Sequence, residues 1–140
     1  MWKTKITELL GINYPIIQGA MAYLSESNLV AAVCHAGGTG VIATGGADID
    51  TVREQIRRTK DMTDKPFGVN LMLQSPNKDD VAQLVCDEKL AFVTIGAGNP
   101  VPYFEPLQSH GVKCIPVVPN AKLAARVQDK GADALVIEGM

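Results

Sequence analysis

The chain alternates short apolar runs with longer segments in which apolar residues recur every three or four positions. The short runs predict six strands, at residues 14–19, 39–44, 67–73, 92–96, 113–118 and 134–138. Most of them are nearly continuous in apolar residues, which is typical of strands that are buried on both faces of a parallel sheet.

Amphipathic segments fill the gaps between these strands and predict helices. Polar residues that can cap a helix stand at the start of four of them, namely Ser27, Asp48 or Asp50, Asn77 and Asn120. Gly37 and Gly38 are predicted to end the first helix, near Ala36, and Gly131 the last. The intervening helices are predicted to end near Lys60, to begin at Asn77 and to cover 103–110.

Five βα units followed by a sixth strand, without a linker, predict one α/β domain over residues 1–140. The expected fold is a parallel (β/α) barrel of the TIM type. A complete barrel has eight units and about 250 residues, so this chain would supply the part up to about the sixth strand. A compact doubly wound parallel sheet fits the length without any missing unit and is the alternative.

Composition narrows the choice of function. The chain has 140 residues, 46% of them hydrophobic and 20% charged, and a net charge of −2. It shows no basic surface pattern for nucleic acid or a membrane, and its N-terminus does not resemble a signal peptide, so we expect a cytoplasmic protein. Its three cysteines have no paired spacing and are expected to be buried free thiols (Cys34, Cys86 and Cys114).

Candidate chemistry stands where the strands end, because ligands of both parallel folds bind at the carboxyl ends of strands. Small residues occur there at 19, 20 and 22, at 45–46 and at 96–98, which leaves room for a flat ligand against the backbone. Asn70 and Glu138 are polar groups at such positions. Since burial of a polar group without a partner is costly, each predicts either a ligand contact or a structural hydrogen bond.

Other suggestive residues are in the wrong places for catalysis. The segment 37–40 is rich in glycine but follows a helix and precedes a strand, the reverse of a phosphate loop. Lys65 and Lys113 stand at strand entrances, whereas a Schiff-base lysine would need the opposite end. His35 and His110 are expected to interact with helix C-termini. No group of residues has the spacing of metal ligands, so no metal site is predicted.

Several segments in order resemble the superfamily of nitronate monooxygenases and flavin-dependent enoyl-acyl-carrier-protein reductases. The resemblance is collinear over essentially the whole chain and is carried by residues 6–12, 14–22, 36–40, 63–73, 75–76, 96–100 and 115–119. The segments at 63–76, 96–100 and 115–119 are most similar to the enoyl reductase branch, enoyl-acyl-carrier-protein reductase II.

This resemblance implies an FMN-binding barrel that NADH or NADPH reduces. The hydride would pass to a trans-2-enoyl thioester, bound to acyl carrier protein or CoA, in fatty acid biosynthesis. It also implies that Gly19, Ala20 and Met21 lie against the flavin ring, that Asn70 hydrogen-bonds its polar edge, and that Glu138 approaches the ring or ribityl chain. A homo-oligomer, such as a dimer, is expected, and a requirement for a monovalent cation stays open.

Two alternatives remain at this point. Nitronate monooxygenases carry a lysine on the fifth strand where this chain has Val117, which favours the reductase over nitronate oxidation. The resemblance implies that the catalytic histidine and the flavin phosphate site lie beyond Met140, so no catalytic residue is assigned in this chain. The third possibility is therefore a non-catalytic half-barrel that folds by association, and the 140 residues alone are expected to be inactive and to hold FMN weakly.

Overall fold

The computed structural model describes residues 2–139 and contains a single parallel sheet flanked by helices. The strands are β1 Ile17–Gln18, β2 Thr39–Ile42, β3 Gly68–Met72, β4 Phe92–Gly96, β5 Lys113–Val118 and β6 Val136–Ile137. The helices are α1 Lys5–Leu10, α2 Ser27–His35, α3 Ile49–Met62, α4 Lys78–Asp87, α5 Val101–Gln108 and α6 Ala121–Asp129.

The order of strands in the sheet is the order along the chain, β1 to β6, and every neighbouring pair is parallel. A doubly wound sheet reverses its strand order at a switch point, and this sheet has none. The compact doubly wound alternative is therefore wrong. The six strands curl into an arc of a (β/α) barrel, which confirms the expected fold class.

Alternate residues of each strand face opposite sides of the arc. Outward-facing side chains such as Val69, Leu71 and Val93 pack with the helices in the larger of two apolar clusters. Inward-facing Val41, Phe92 and Ile115 form the smaller cluster. This division explains why the strands read as continuous apolar runs, since both faces are covered.

Helix α1, which the apolar pattern did not predict, covers the entrance end of the arc. Its Leu10 packs with Phe92, the first residue of β4, in the inner cluster. Thr4 caps the helix by accepting a hydrogen bond from the backbone N–H of Thr7, 3.0 Å away. Gly11 ends it with a φ of 69°, in the left-handed region that favours glycine.

The structure corrects two of the predicted helix caps. Ser27 is the first residue of α2 rather than its cap, and its backbone N–H donates to Gln55 Oε1 at 2.9 Å. Asn77 precedes α4 but does not cap it, because its side-chain Nδ2 donates to the Ala47 carbonyl at 2.9 Å. It ties the start of α4 to the end of the β2–α3 loop instead.

The other caps are confirmed. Asp48, rather than Asp50, accepts a hydrogen bond from the Thr51 N–H at 2.8 Å, and Asn120 accepts one from Leu123 at 2.9 Å. The glycine segment after α2 is a helix end, as predicted, with Gly37 in the left-handed region at a φ of 104°. Nearby, a Cβ on Gly40 would come within 2.9 Å of Val30 Cα, so α2 can approach β2 closely only at a glycine.

The two edge strands are shorter than the sequence predicts, with two residues each in β1 and β6. Large apolar side chains at both edges are exposed, including Ile16 before β1 and Ile137 in β6. Over residues 2–139, none of the helices is long and apolar enough to cross a membrane.

Candidate functional site

A cleft of about 570 Å³ opens on the inner face of the arc, toward the carboxyl ends of the strands. All six strands contribute to it, since its lining consists of Ile17, Gly19, Ala20, Val41, Asn70, Met72, Thr94, Gly96, Ala97, Val117, Val136, Ile137 and Glu138. Most of these residues occupy inward positions in the two-residue alternation of their strands. The backbone pattern therefore dictates which side chains meet here.

One of the residues that line this cleft, Asn70, carries a side-chain amide. It is paired directly with Thr94 in the register of β3 and β4. The Thr94 hydroxyl donates to Asn70 Oδ1 at 2.8 Å, and the Thr44 hydroxyl donates to the Asn70 backbone carbonyl at 2.6 Å. Within residues 2–139, the Asn70 Nδ2 makes no hydrogen bond, so it is available to a ligand acceptor in the cleft.

Glycines keep the cleft open next to the backbone. A Cβ built on Gly19 or on Gly96 would meet no atom within 4 Å. The apolar side chains of Met72, Val117 and Val136 form the remaining walls. A flat heteroaromatic ring with acceptor atoms on one edge fits this combination of bare backbone, apolar walls and one amide donor.

Charge in the cleft is limited to one carboxylate. Glu138 follows β6, and its backbone N–H donates to the Val118 carbonyl at 2.9 Å, which continues the pairing of β5 with β6. None of the residues that line the cleft carries a positive charge. The residues present therefore fit the ring of a flavin, whereas they offer no cation to its phosphate.

The structure brings together four of the five residues assigned to the cofactor from the sequence. Gly19, Ala20, Asn70 and Glu138 line the cleft. Met21 does not line it: its side chain is 44% exposed, and its backbone N–H donates to Ser25 Oγ at 2.8 Å.

The residues that sequence reasoning missed are polar groups in or next to the cleft, Thr94 and Ser25. Thr94 was read only as part of an apolar strand, although the two-residue alternation that places Asn70 inward also places its neighbour inward. Ser25 is buried, and its hydroxyl accepts from Gln18 Nε2 at 2.8 Å and donates to the Gly19 carbonyl at 3.2 Å. It thereby fixes the loop that follows β1.

A second cleft, of about 640 Å³, lies between α4 and α5 in the outer layer. Here the Tyr103 hydroxyl donates to Asp79 Oδ1 at 2.7 Å, and burial, followed by the bond and charge of Asp79, raises the pKa of Tyr103 to about 12. This cleft is slightly larger than the inner one. The inner cleft is the stronger candidate because all six strand ends converge on it, as in (β/α) barrels generally.

The histidines and lysines lie away from the inner cleft. His35 is in the last turn of α2, and His110 Nδ1 is 2.8 Å from the Pro106 carbonyl near the end of α5. Lys113 is the first residue of β5, at the entrance end. The three cysteines are free thiols, with Cys34 and Cys114 buried as expected, whereas Cys86 is half-buried.

The chain is similar to flavoenzymes of known family in both sequence and structure. The sequence profile of the nitronate monooxygenase family matches residues 3–84. The chain belongs to this family. A carboxyl-CoA dehydrogenase from Mycobacterium tuberculosis, named for an octahydro-indene substrate, is 32% identical over 137 residues, which are 98% of this chain and 39% of that protein. A nitronate monooxygenase from Paraburkholderia phytofirmans is 30% identical, over 99% of this chain and 48% of that protein.

Among solved structures, FabK from Thermotoga maritima, an enoyl-acyl-carrier-protein reductase II, superposes with a TM-score of 0.97. It is 45% identical in sequence, and the match covers 100% of this chain and 45% of the FabK chain. The match to this chain thus covers less than half the length of each of these three proteins.

Proposed function

We propose that the inner cleft is one side of an FMN site and that the protein reduces trans-2-enoyl thioesters with NADH or NADPH. The thioester would be carried by acyl carrier protein or by CoA, as in fatty acid biosynthesis. Members of this family use FMN. The single observation that carries the choice of substrate is the cleft itself, which contains apolar side chains, one amide and one carboxylate but no cation.

The reacting group of a nitronate is an anion, whereas the reacting enoyl group of a thioester is uncharged. Binding an anion next to Glu138, with Val117 on the adjacent strand in place of a cation, would be electrostatically unfavourable. An uncharged enoyl chain suits the apolar walls formed by Met72 and Val136. The 45% identity to FabK supports the same choice, since the nitronate monooxygenase from Paraburkholderia phytofirmans is 30% identical.

The residues of this chain would bind and orient the cofactor. Bound here, FMN would supply the hydride chemistry between the nicotinamide and the substrate double bond. Asn70 Nδ2 would donate to an acceptor on the polar edge of the ring, and Gly19 and Gly96 would let the ring approach the backbone. Glu138 would lie near the ring or the ribityl chain.

The phosphate site and the catalytic proton donor are not supplied by this cleft, which has neither a basic residue nor a histidine. Because the chain spans 45% of the FabK chain, we assign both groups to βα units that complete the barrel in the whole protein. The experiments below use that whole protein.

Side-by-side steady-state assays test the proposal. Oxidation of NADH and NADPH is measured with a crotonyl thioester, and oxygen consumption is measured with a nitroalkane. We expect turnover with the thioester to exceed that with the nitroalkane by at least about tenfold, which corresponds to about 1.4 kcal/mol of transition-state stabilisation. Faster turnover with the nitroalkane would move the assignment to nitronate oxidation.

Nitronate oxidation is the second candidate, and the family match over residues 3–84 favours it. If this candidate is correct, Val117→Lys should raise turnover with the nitroalkane, because it adds a cation to the cleft. If the protein is a thioester reductase, Val117→Lys should lower turnover with the thioester and should not raise turnover with the nitroalkane, since it places a charge among apolar walls.

A further inference from the structure

We infer that Thr94 is a positioning residue, which holds the Asn70 amide with its nitrogen toward the cleft and thereby selects a hydrogen-bond acceptor on the bound ring. This inference rests on the proposed function, because it concerns the same cofactor site. It adds a residue and a direction of hydrogen bonding that neither the resemblance nor the relatives assign.

The Asn70 and Thr94 side chains form a hydrogen-bonded pair across β3 and β4. Asn70 and Thr94 are register partners on adjacent parallel strands, and both face the interior of the arc. The Thr94 hydroxyl donates to Asn70 Oδ1 at 2.8 Å, and this is its one hydrogen bond within residues 2–139. Thr94 is 8% exposed, so its hydroxyl has little access to water.

The Asn70 amide has two possible orientations, which differ in how they satisfy the Thr94 hydroxyl. In the observed orientation the hydroxyl proton of Thr94 is used, and the two N–H groups of Asn70 face the cleft, where a ligand can accept them. In the flipped orientation Nδ2 would donate to the hydroxyl, and the buried Thr94 proton would lose its acceptor. A buried donor without a partner is costly, so Thr94 disfavours the flip.

The orientation of the Asn70 amide determines which ligand atoms it can bind. Because Oδ1 is turned toward Thr94, the N–H groups of Asn70 face the cleft, where they recognise a carbonyl oxygen or an unprotonated ring nitrogen rather than an N–H group. The edge of a flavin carries both kinds of group, so this donor fixes which part of the edge lies against β3.

Thr44 provides a matched control, because it also donates a hydrogen bond to Asn70. Its hydroxyl bonds the Asn70 backbone carbonyl at 2.6 Å and not the side chain, and Thr44 does not line the cleft. Thr44→Val and Thr94→Val therefore remove equivalent hydroxyl groups on either side of the same residue. Only the second frees the amide to rotate.

The experiment measures FMN dissociation constants and the flavin absorption spectrum for the whole protein and its variants. We expect Thr94→Val to raise the dissociation constant about three- to tenfold and to shift the spectrum, as for the loss of one hydrogen bond. Thr94→Ser, which keeps the hydroxyl, should bind FMN like the wild type. Thr44→Val should lower the Tm of the flavin-free protein but leave FMN affinity unchanged.

A double-mutant cycle separates positioning from a general structural role. In an Asn70→Ala background, Thr94→Val should cause no further loss of FMN affinity, because the group it orients is gone. If Thr94→Val does not fold, Thr94→Ala compared with Thr94→Ser isolates the hydroxyl in the same way.

Two results would overturn this inference but not the proposed function. One is wild-type FMN affinity in Thr94→Val, and the other is that Thr94→Val lowers FMN affinity equally in the wild-type and Asn70→Ala backgrounds. Absence of FMN binding by the wild-type protein would instead overturn the proposed function, and the inference with it.

Discussion

The ring of Phe92 lies directly over the backbone of Gly68, its register partner on the neighbouring strand. A Cβ at position 68 would stand 2.5 to 2.7 Å from three carbon atoms of that ring. Phe92 is fully buried and belongs to the inner cluster with Leu10 and Ile115. The ring can occupy the floor of the arc only because residue 68 has no side chain.

Gly68→Ala should therefore destabilise the fold. The added methyl forces Phe92 out of its place in a close-packed cluster, and overpacking of this kind typically costs about 1–3 kcal/mol. Urea unfolding of the wild type and the variant measures this difference. An unchanged midpoint would show that the inner cluster is not packed as described.

Gly96→Ala is the matched control for Gly68→Ala, because Gly96 also faces the interior of the arc but lies nearer the carboxyl ends of the strands. A Cβ there meets no protein atom within 4 Å, and Gly96 lines the cleft. We expect the free energy of unfolding to stay within about 0.5 kcal/mol of the wild type, as at other sites without close contacts. FMN affinity should fall, because the methyl occupies space that the ring needs. Unimpaired FMN binding would place the ring elsewhere.

Glu88 should contribute stability that depends on pH. Its carboxylate accepts from Lys60 Nζ at 2.9 Å and from Arg57 Nε at 3.4 Å, which joins the end of α4 to α3. The hydrogen bond from Lys60 is the main cause that lowers the pKa of Glu88. A lowered folded-state pKa stabilises the protein above the unfolded pKa, about 4.3, and this contribution is lost as the pH falls through the folded value.

Glu88→Gln should accordingly lower the free energy of unfolding at pH 7 by up to about 1 kcal/mol, as for partly exposed ion pairs. The difference from the wild type should shrink as the pH is lowered below about 4. Glu54→Gln, which breaks the exposed pair with Arg58, serves as the control and should have a smaller effect. A difference at Glu88 that is independent of pH would refute the role of its charge.

The cysteines should differ in reactivity. Cys114 is buried, and burial is the main cause that raises the pKa of its thiol to about 12, with a further contribution from Asp133. Because the thiolate is the nucleophile, Cys114 and the buried Cys34 should resist alkylation at pH 8 in the native protein. The half-buried Cys86 should react first, although burial also raises its pKa. Mass spectrometry of native and urea-unfolded samples identifies the labelled residues; rapid native labelling of Cys114 would contradict its burial.

Much of the fold follows from local patterns. The apolar runs placed all six strands, and Asp48 and Asn120 were recognised as caps because their side chains act within one turn of their own helix. Ser27 is not a cap because it lies within the first turn of α2, where its backbone N–H donates to Gln55. Asn77 does not cap α4 because its side chain donates to the Ala47 carbonyl, which is remote in sequence. The order of the strands excludes the doubly wound sheet. This order depends on how the βα units pair with one another, so the local pattern of a single unit does not predict it.

Some of the residues that line the inner cleft could also be identified from the sequence. Asn70 stood out because it is polar in an apolar run, and the alternation of its strand does face it into the cleft. Met21 was included because the family resemblance implies that it lies with Gly19 and Ala20 against the flavin ring, but the loop turns its side chain to solvent. Thr94 could not be singled out in the same way, since threonine is common in strands and its role depends on the register of β4 with β3.

The most direct test of the account is the binding of FMN to the whole protein and to Asn70→Ala, measured with the Tm of both flavin-free proteins. We predict one FMN per chain in the wild type, and a dissociation constant about five- to tenfold higher in Asn70→Ala, the effect expected for one hydrogen bond. The flavin-free Tm should fall modestly, because the buried Thr94 hydroxyl loses its acceptor on Asn70 Oδ1, but FMN affinity should fall as well, because the Asn70 Nδ2 donor is lost. A sharp fall in the flavin-free Tm with unchanged FMN affinity would show that Asn70 is a structural residue and would contradict the proposed site.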